Sequence, residues 1–186
     1  LLEAEGDAVP PKPLIPLKTI FTEDPVRMVR AVKYSAALEF RLPFLLRYKM
    51  RSQAGLLEGI SSSRLTEELF KILQSGSSAR IFRSMYDLGV LRPFMPALAE
   101  ALKNDRDGYR ARFFATLEGL DSTIEDSMER HRLVLPLVKD YVETLIKERG
   151  REELLFKDAY HLVKEFCSPL VPANKGTLAA WQETVI

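Results

Sequence analysis

The sequence predicts an all-α protein, and three observations support that fold class. Apolar residues recur at helical spacing, no segment alternates convincingly as a strand would, and glycine or proline separates the periodic segments. Hydrophobic residues make up 46% of the 186, which is enough for a substantial core. The 27 Lys and Arg residues nearly balance the 26 Asp and Glu residues, so only local charge clusters can indicate a partner.

Composition also excludes some classes of protein. No apolar run approaches the roughly 20 residues of a membrane-spanning helix, so no membrane partner is expected. Cys167 is the single cysteine, which rules out an internal disulfide and fits the cytoplasm. The chain begins at Leu1 without an initiator methionine, and its residues 1–19 hold four prolines. We therefore expect a fragment in which residues 1–19 form an extended linker from a missing N-terminal domain.

The remaining residues are predicted to form helices in sequence. The first begins after Thr22, an N-cap candidate that is followed by Glu23 and Asp24, where a helix dipole favours acids. A short helix follows Pro43 and continues to about residue 57. Further helices are predicted at about 63–74, 81–88, 97–103, 110–120, 128–149, 152–166 and 177–184. The prolines at 93 and 96 predict a turn, and the polar turn at 104–108 predicts a domain boundary.

The chain lacks the residue patterns of the common catalytic and metal sites. His131 and His161 belong to no ligand pair, and Ser61 to Ser63 lack the glycines of a nucleophile elbow. No glycine-rich phosphate loop follows a strand. We therefore predict no catalytic residue and no metal ligand in this chain.

Two oppositely charged residues near the first predicted helix permit two interpretations. Asp24 and Arg27 are three residues apart, so they can form an ordinary ion pair on one helix face. They can also act together on a nucleobase, because a carboxylate only accepts hydrogen bonds and a guanidinium only donates them. Adenine and cytosine present an amine donor beside a bare ring-nitrogen acceptor, so both complement an acceptor next to a donor. Guanine and uracil present the reverse, a carbonyl beside a ring N–H. The spacing alone leaves both interpretations open.

Three stretches carry a resemblance to a known family. FTEDPVRMVRAVKYSA resembles the E-D-x-x-R motif of that family, and SRLTEELFKIL resembles its E-R-I-x-x-E-L-x-K-I-L helix, with Ser63 in place of the usual glutamate. SGSSARIFRSMYDLGVLRPFMPAL resembles the next helix pair. From Ile20 to Leu98 the chain is similar to the neck domain of class II nucleotidyltransferases, the bacterial poly(A) polymerases and tRNA CCA-adding enzymes. Residues 20–104 would then be the helical neck, and residues 105–186 the helical body.

The resemblance also implies roles for individual residues. Asp24 and Arg27 match the residues that read the base of the incoming nucleotide. Glu23 and Arg30 match positions that orient this pair. Arg64 and Glu68 match positions that brace the neck helices.

The resemblance implies an enzyme whose catalytic head lies outside this chain. That head would hold Mg²⁺ with a D-x-D pair on a strand, and the full-length enzyme would add AMP from ATP to the 3′ end of an mRNA or tRNA. This chain alone would be inactive. One alternative is a CCA-adding enzyme that also uses CTP. Another, from a different class, is a non-enzymatic helical RNA-binding or scaffold module.

Basic residues are concentrated just after the base-reading motif. Between Arg27 and Arg51 there are seven basic residues and one acid, Glu39. This excess suits RNA phosphates, although a solvated helix face would have the same composition. The candidates for RNA contact are Lys33, Arg41, Arg47, Lys49 and Arg51, with weaker candidates at 105–112 and at Arg130, His131 and Arg132. The aromatic residues Tyr34, Phe40, Phe44 and Phe70 could stack on bases, but their helical spacing beside leucines favours the core.

Overall fold

The computed structural model describes residues 17–125, 128–148 and 156–170, and within these ranges the chain forms ten α-helices and no strand. The all-α prediction is confirmed. The helices are α1 (Leu17–Glu23), α2 (Val26–Ala37), α3 (Phe44–Gln53), α4 (Ser62–Leu73), α5 (Ser78–Asp87), α6 (Leu91–Phe94), α7 (Pro96–Asn104), α8 (Tyr109–Thr123), α9 (Arg130–Glu148) and α10 (Phe156–Cys167). Two short 3-10 turns, Ala54–Gly59 and Arg106–Gly108, follow α3 and α7. None of the described helices combines the length and apolarity needed to cross a bilayer.

The first helix begins earlier than the sequence predicted. α1 starts at Leu17, so the expectation of an extended linker is wrong for residues 17–19, whereas residues 1–16 lie outside the described part. Thr22 is not an N-cap, since it lies inside α1 and its hydroxyl donates to the carbonyl of Thr19 at 3.4 Å. The last linker proline, at position 16, can precede a helix because proline costs little at a helix start.

A break between α1 and α2 places Asp24 at a helix junction, just before Arg27. Pro25 lacks an amide proton and disfavours helical geometry at Asp24, so α1 ends at Glu23 and α2 begins at Val26. The amide of Arg27 donates to the carbonyl of Asp24 at 3.0 Å and thereby starts the new helix. Glu23 and Asp24 therefore lie between two helices, rather than in the first turn of one as predicted.

The other helix ends agree closely with the sequence prediction. Gly76 and Gly89 follow α4 and α5 with φ of +64° and +71°, a left-handed conformation that glycine adopts without strain. The segment between Pro93 and Pro96 differs, because Leu91–Phe94 forms one helical turn and α7 begins directly at Pro96. The predicted helix at 177–184 lies outside the described residues.

One hydrophobic core extends from α1 to α10. Buried side chains of α2, α4 and α5 join those of α8, α9 and α10 in a single cluster. Phe82 of α5 meets Phe113 of α8 edge to face, with ring centroids 5.7 Å apart. The core therefore passes through the predicted boundary at 104–105, and the division into two domains stays a prediction.

The start of α5 depends on a side chain from α8. No side-chain hydrogen bond from its own N-cap residue satisfies the first amides of α5. Instead, the Asp121 carboxylate accepts the amide protons of Ser78 at 2.7 Å and Ala79 at 3.0 Å. This contact joins the two predicted domains by a helix cap as well as by core packing.

Candidate functional site

Asp24 lies between two arginines at the junction of α1 and α2. Its Oδ2 is 3.7 Å from Nε of Arg27, and its Oδ1 is 2.9 Å from Nη2 of Arg64 on α4. The Asp24 side chain is 17% exposed, whereas the Arg27 side chain is 46% exposed. Oδ1 of Asp24 is enclosed and has no hydrogen-bond partner. The Arg64 contact is therefore an ion pair without hydrogen-bond geometry. A carboxylate acceptor and a half-exposed guanidinium donor thus lie side by side.

Glu68 is a fully buried carboxylate that ties α4 to α2. Its Oε1 accepts hydrogen bonds from Nε and Nη2 of Arg30 at 3.0 and 2.9 Å, and from Nζ of Lys71 at 3.4 Å. Nζ of Lys33 lies 4.0 Å from Oε2. The hydrogen bond and the charge of Glu68 raise the pKa of Arg30. Such a buried carboxylate is tolerated because several cations surround it.

These contacts form one cluster with an excess of positive charge. Five cationic side chains surround two carboxylates: Arg27, Arg30, Lys33, Arg64 and Lys71 around Asp24 and Glu68. Glu23, the remaining supporting candidate, is exposed at the last position of α1. Arg27, Arg30 and Arg64 keep substantial exposure, so the cluster is accessible from solvent and suits an anionic ligand. The roles that the sequence assigns to these residues stay predictions.

The RNA-contact candidates are found in two environments. Lys33 is mostly buried against Glu68, and Lys49 is half-buried on α3. Arg41, Arg47 and Arg51 are exposed and line a groove of about 260 Å³ between α3 and α5. Nη2 of Arg51 donates to the backbone carbonyl of Asp87 at 3.0 Å. The three arginines are therefore better placed for an external phosphate than Lys33 is.

The aromatic residues near this groove correct a sequence expectation. Phe70 is buried as predicted, but Tyr34, Phe40 and Phe44 are exposed rather than in the core. On α3 the core side is occupied by Met50 with its neighbours, so Phe44 and Tyr48 lie on the opposite face. Tyr48 was not singled out from the sequence. Its spacing of four from Phe44, and of three from Arg51, was the available signal.

Comparison with known proteins finds similarity to bacterial RNA nucleotidyltransferases. A family model described as "Probable RNA and SrmB- binding site of polymerase A" matches residues 39–102. The Poly(A) polymerase I of Haemophilus influenzae is 29% identical over 172 residues, which cover 86% of this chain and 37% of that protein. The Salmonella typhi Poly(A) polymerase I is 28% identical over 181 residues, 89% of this chain and 38% of that protein. A CCA-adding enzyme of Latilactobacillus sakei is 33% identical over 82 residues, 44% of this chain and 20% of that protein.

This chain is similar to bacterial Poly(A) polymerase I along most of its length and to a CCA-adding enzyme along less than half of it. It spans 37% and 38% of the length of the two polymerases. The resemblance that the sequence predicted from residues 20–98 is thus confirmed, and the polymerase matches extend it through most of the chain.

The weaker basic candidates are mostly engaged within the protein. The hydrogen bonds that Arg130 donates to Glu67 at 2.6 and 3.0 Å lower the pKa of Glu67 and connect α9 with α4. Two other guanidiniums also bind neighbouring helices: Arg110 binds the carbonyl of Leu102, and Arg112 binds Asp140 and Thr144. The side chain of His131 lies outside the described residues. These arginines are therefore poorer RNA candidates than those of α3.

The described residues do not fit the Mg²⁺ site that the resemblance implies for the longer protein. Within these ranges no group of three or more His, Cys, Asp or Glu side chains could hold a metal ion. Asp105 and Asp107 repeat the letters D-x-D, but Asp105 precedes the 3-10 turn and Asp107 lies inside it. The Asp105 carboxylate accepts the amide proton of Arg110 at 2.9 Å. We therefore assign no metal-dependent step to these residues.

Proposed function

We propose that this chain reads the nucleotide base and holds the RNA in a template-independent RNA nucleotidyltransferase that adds AMP to RNA 3′ ends. The observation that carries the choice of AMP is the extent of similarity. Relatives named Poly(A) polymerase I match 86–89% of the chain, whereas relatives named for CCA addition match 42–44%. The longer protein would be a polynucleotide adenylyltransferase.

Asp24 and Arg27 are proposed to select adenine. The Asp24 carboxylate would accept a hydrogen bond from the exocyclic amine, and Arg27 would donate to the adjacent ring nitrogen. Guanine and uracil present a carbonyl beside a ring N–H, so they would place donor against donor and acceptor against acceptor. In a site closed to water, these unpaired charged groups would reject GTP and UTP strongly.

The surrounding contacts support this proposal by limiting the movement of the pair. Arg64 holds Oδ1 of Asp24, and Glu68 holds Arg30 about one turn beyond Arg27 on α2. A base-reading pair discriminates well only when neighbouring side chains fix its geometry. Glu23 would complete the arrangement from the α1 side of the junction.

The remaining components of the reaction are assigned to the longer protein. ATP is the proposed substrate, an mRNA or tRNA 3′ end is the proposed acceptor, and Mg²⁺ would be bound by residues outside this chain. The cytoplasm, where these RNAs occur, is the proposed compartment. We expect the 186-residue chain to be inactive by itself.

The direct test uses the protein extended upstream to its natural start, with Mg²⁺. A tRNA lacking its 3′ end and a short oligo(A) are each incubated with one of the four nucleotides, or with all four, and the products are resolved on a sequencing gel. Long A-only tails support the proposal. Addition of C, C and A to the tRNA alone would assign the chain to a CCA-adding enzyme.

The role of the pair is tested in the same extended protein. Asp24→Ala and Arg27→Ala should each reduce the preference for ATP over GTP and UTP. Arg83→Ala, which removes an exposed arginine on α5 that pairs with Glu118, is the control. Variants that lose stability but keep the nucleotide preference would make the pair a structural ion pair. RNA binding with no addition of any nucleotide would favour a non-enzymatic scaffold.

A further inference from the structure

We propose that Phe44, Arg47, Tyr48 and Arg51, here named the α3 face, form a stacking surface for an unpaired segment of RNA. This inference rests on the proposed function, because it assigns the α3 face to the RNA that the longer protein would extend. It adds the class of RNA structure and the residues that bind it.

The spacing of these four residues places them together on one side of α3. Phe44 and Tyr48 are four residues apart, as are Arg47 and Arg51, and each arginine follows an aromatic residue by three positions. Residues at these spacings are neighbours on a helix surface, and those four apart are separated by about 6 Å along the axis. The result is a row of two rings beside a row of two guanidiniums.

The two rings are unusually accessible for aromatic side chains. Phe44 is 75% exposed and Tyr48 is 59% exposed, while Met50 covers the core side of the same helix. Tyr34 and Phe40 are also exposed and lie close in sequence to α3. Exposed apolar side chains concentrated in one segment mark an interaction surface on a folded protein, because burying them is favourable.

The charge beside the rings favours a polyanion. The one acid between Arg27 and Arg51 is Glu39, and its Oε1 is 2.6 Å from Nη1 of Arg80 on α5. Among the residues that the structure describes, Arg41 and Arg47 have no ion-pair partner. An apolar protein partner would bury these cations without neutralising them, whereas RNA phosphates would pair with them.

The exposed rings favour unpaired rather than duplex RNA. In a duplex the base faces are covered by neighbouring bases, so a protein ring can stack only where a strand is single. The groove lined by Phe40, Arg41, Arg47 and Arg51 adjoins the α3 face, and Asp87 is the one acidic residue among the described residues that line it. Because three arginines outnumber that carboxylate, the groove can receive the backbone of such a strand. Because every base has a π face, we expect affinity with little sequence preference.

The test measures fluorescence anisotropy of the 186-residue chain with a labelled oligo(A) and with a labelled RNA duplex of equal length. Single-stranded RNA should bind more tightly. Phe44→Ala and Tyr48→Ala should each weaken that binding by about tenfold, and Phe44→Leu should weaken it similarly because it keeps apolarity but removes the ring. Phe44→Trp should bind about as tightly as the wild type, because it keeps an aromatic ring. Tyr160→Ala, an exposed aromatic residue on α10, is the control and should have no effect.

The salt dependence of RNA affinity tests the role of Arg47. Arg47→Ala should reduce the slope of log affinity against log salt by about one, with a similar loss for every RNA sequence. Phe44→Leu should leave the slope unchanged, since it removes no charge. Equal slopes in Arg47→Ala and the wild type would overturn the role of Arg47 as a phosphate contact.

Each outcome separates this inference from the proposed function. Wild-type affinity in Phe44→Ala and Phe44→Leu would overturn the stacking surface and leave the proposed function intact. A change in self-association, without a change in RNA affinity, would make the α3 face a protein interface. If the chain binds no RNA of either kind, the RNA-holding part of the proposed function fails with it. If the α3 variants lose affinity but the extended protein adds no nucleotide, only the proposed activity fails.

Discussion

Nη2 of Arg64 lies 2.9 Å from Oδ1 of Asp24, whereas Nε of Arg27 lies 3.7 Å from Oδ2 of the same carboxylate. The sequence spacing emphasises the local pair, but the shorter contact comes from a different helix. The acid at the α1–α2 junction is therefore positioned partly by α4. This relationship links the first sequence motif to the second and leads to a direct test.

Arg64→Ala in the extended protein should impair nucleotide selection without unfolding the chain. Loss of the Arg64 contact frees the Asp24 carboxylate, and misplacement of a substrate-positioning group can reduce discrimination by about tenfold or more. The cost in stability should stay below about 1 kcal/mol, because the Arg64 side chain is 44% exposed. Competition between ATP and GTP measures the preference. An unchanged ratio, equal to that of Arg83→Ala, would contradict a positioning role for Arg64.

Glu68→Gln should destabilise the fold more than any surface charge change. The substitution keeps the shape of the side chain but leaves Arg30 and Lys33 without their buried counter-charge, at a cost of about 1–3 kcal/mol. Glu39→Gln is the matched control, since it disrupts an exposed pair with Arg80 and should cost less than about 0.5 kcal/mol. Urea unfolding at constant m-value measures both. Similar midpoints for the two variants would show that Glu68 is not a brace.

Asp121→Ala should weaken the start of α5. The substitution leaves the amides of Ser78 and Ala79 without an acceptor, and loss of a helix cap costs about 1–2 kcal/mol. Glu118→Ala, one turn earlier on α8, removes only an exposed ion pair and should change stability by less than about 0.5 kcal/mol. Denaturant midpoints test the difference. Amide exchange at Ser78 and Ala79 should accelerate in Asp121→Ala alone.

Cys167 should be unreactive while the chain is folded. Burial raises the pKa of its thiol to about 12, so the nucleophilic thiolate is scarce at neutral pH. The unfolded thiol ionises near pH 8.5. The unfolded state therefore releases its proton first, and this site contributes stability below pH 8.5 that is lost as the pH rises towards 12.

Reaction with a chromogenic thiol reagent tests this prediction. The rate should be slow for the folded chain at neutral pH and fast after addition of guanidinium. Cys167→Ala should be less stable at neutral pH, because it leaves a cavity, but should lose less stability than the wild type on titration above pH 8.5. A fast reaction in the folded state would mean that the thiol is not buried.

The order of the helices could be predicted because the helix-ending residues and the apolar periodicity agreed. Gly76 and Gly89 end helices at positions where positive φ is required, and these residue types could be recognised directly. The break at Asp24 and Pro25 was missed, since proline is tolerated in a first turn and the residues before it suited a continuous helix. Periodicity could not reveal that α1 and α2 are separate helices.

The candidate site was only partly accessible to sequence reasoning. Asp24 and Arg27 could be singled out from their spacing, but their contact with Arg64 depends on how α4 packs. The orientation of α3 was also ambiguous, because Leu46 with Met50 and Phe44 with Tyr48 are both apolar pairs four residues apart. Because α3 packs against α1 and the 54–59 turn, Leu46 and Met50 face the core. This orientation leaves the second pair exposed.

The contacts across residues 104–105 limit how this protein can be recombined with its relatives. Phe82 packs on Phe113, Asp121 caps α5, and Arg130 binds Glu67, so each half of the chain supplies parts that the other half needs. A chimaera that exchanges residues 20–104 alone would bring together surfaces that did not evolve as partners. If Asp24 and Arg27 select the base as proposed, transfer of nucleotide preference between this chain and its relatives would require exchange of α8 and α9 along with α1 and α2.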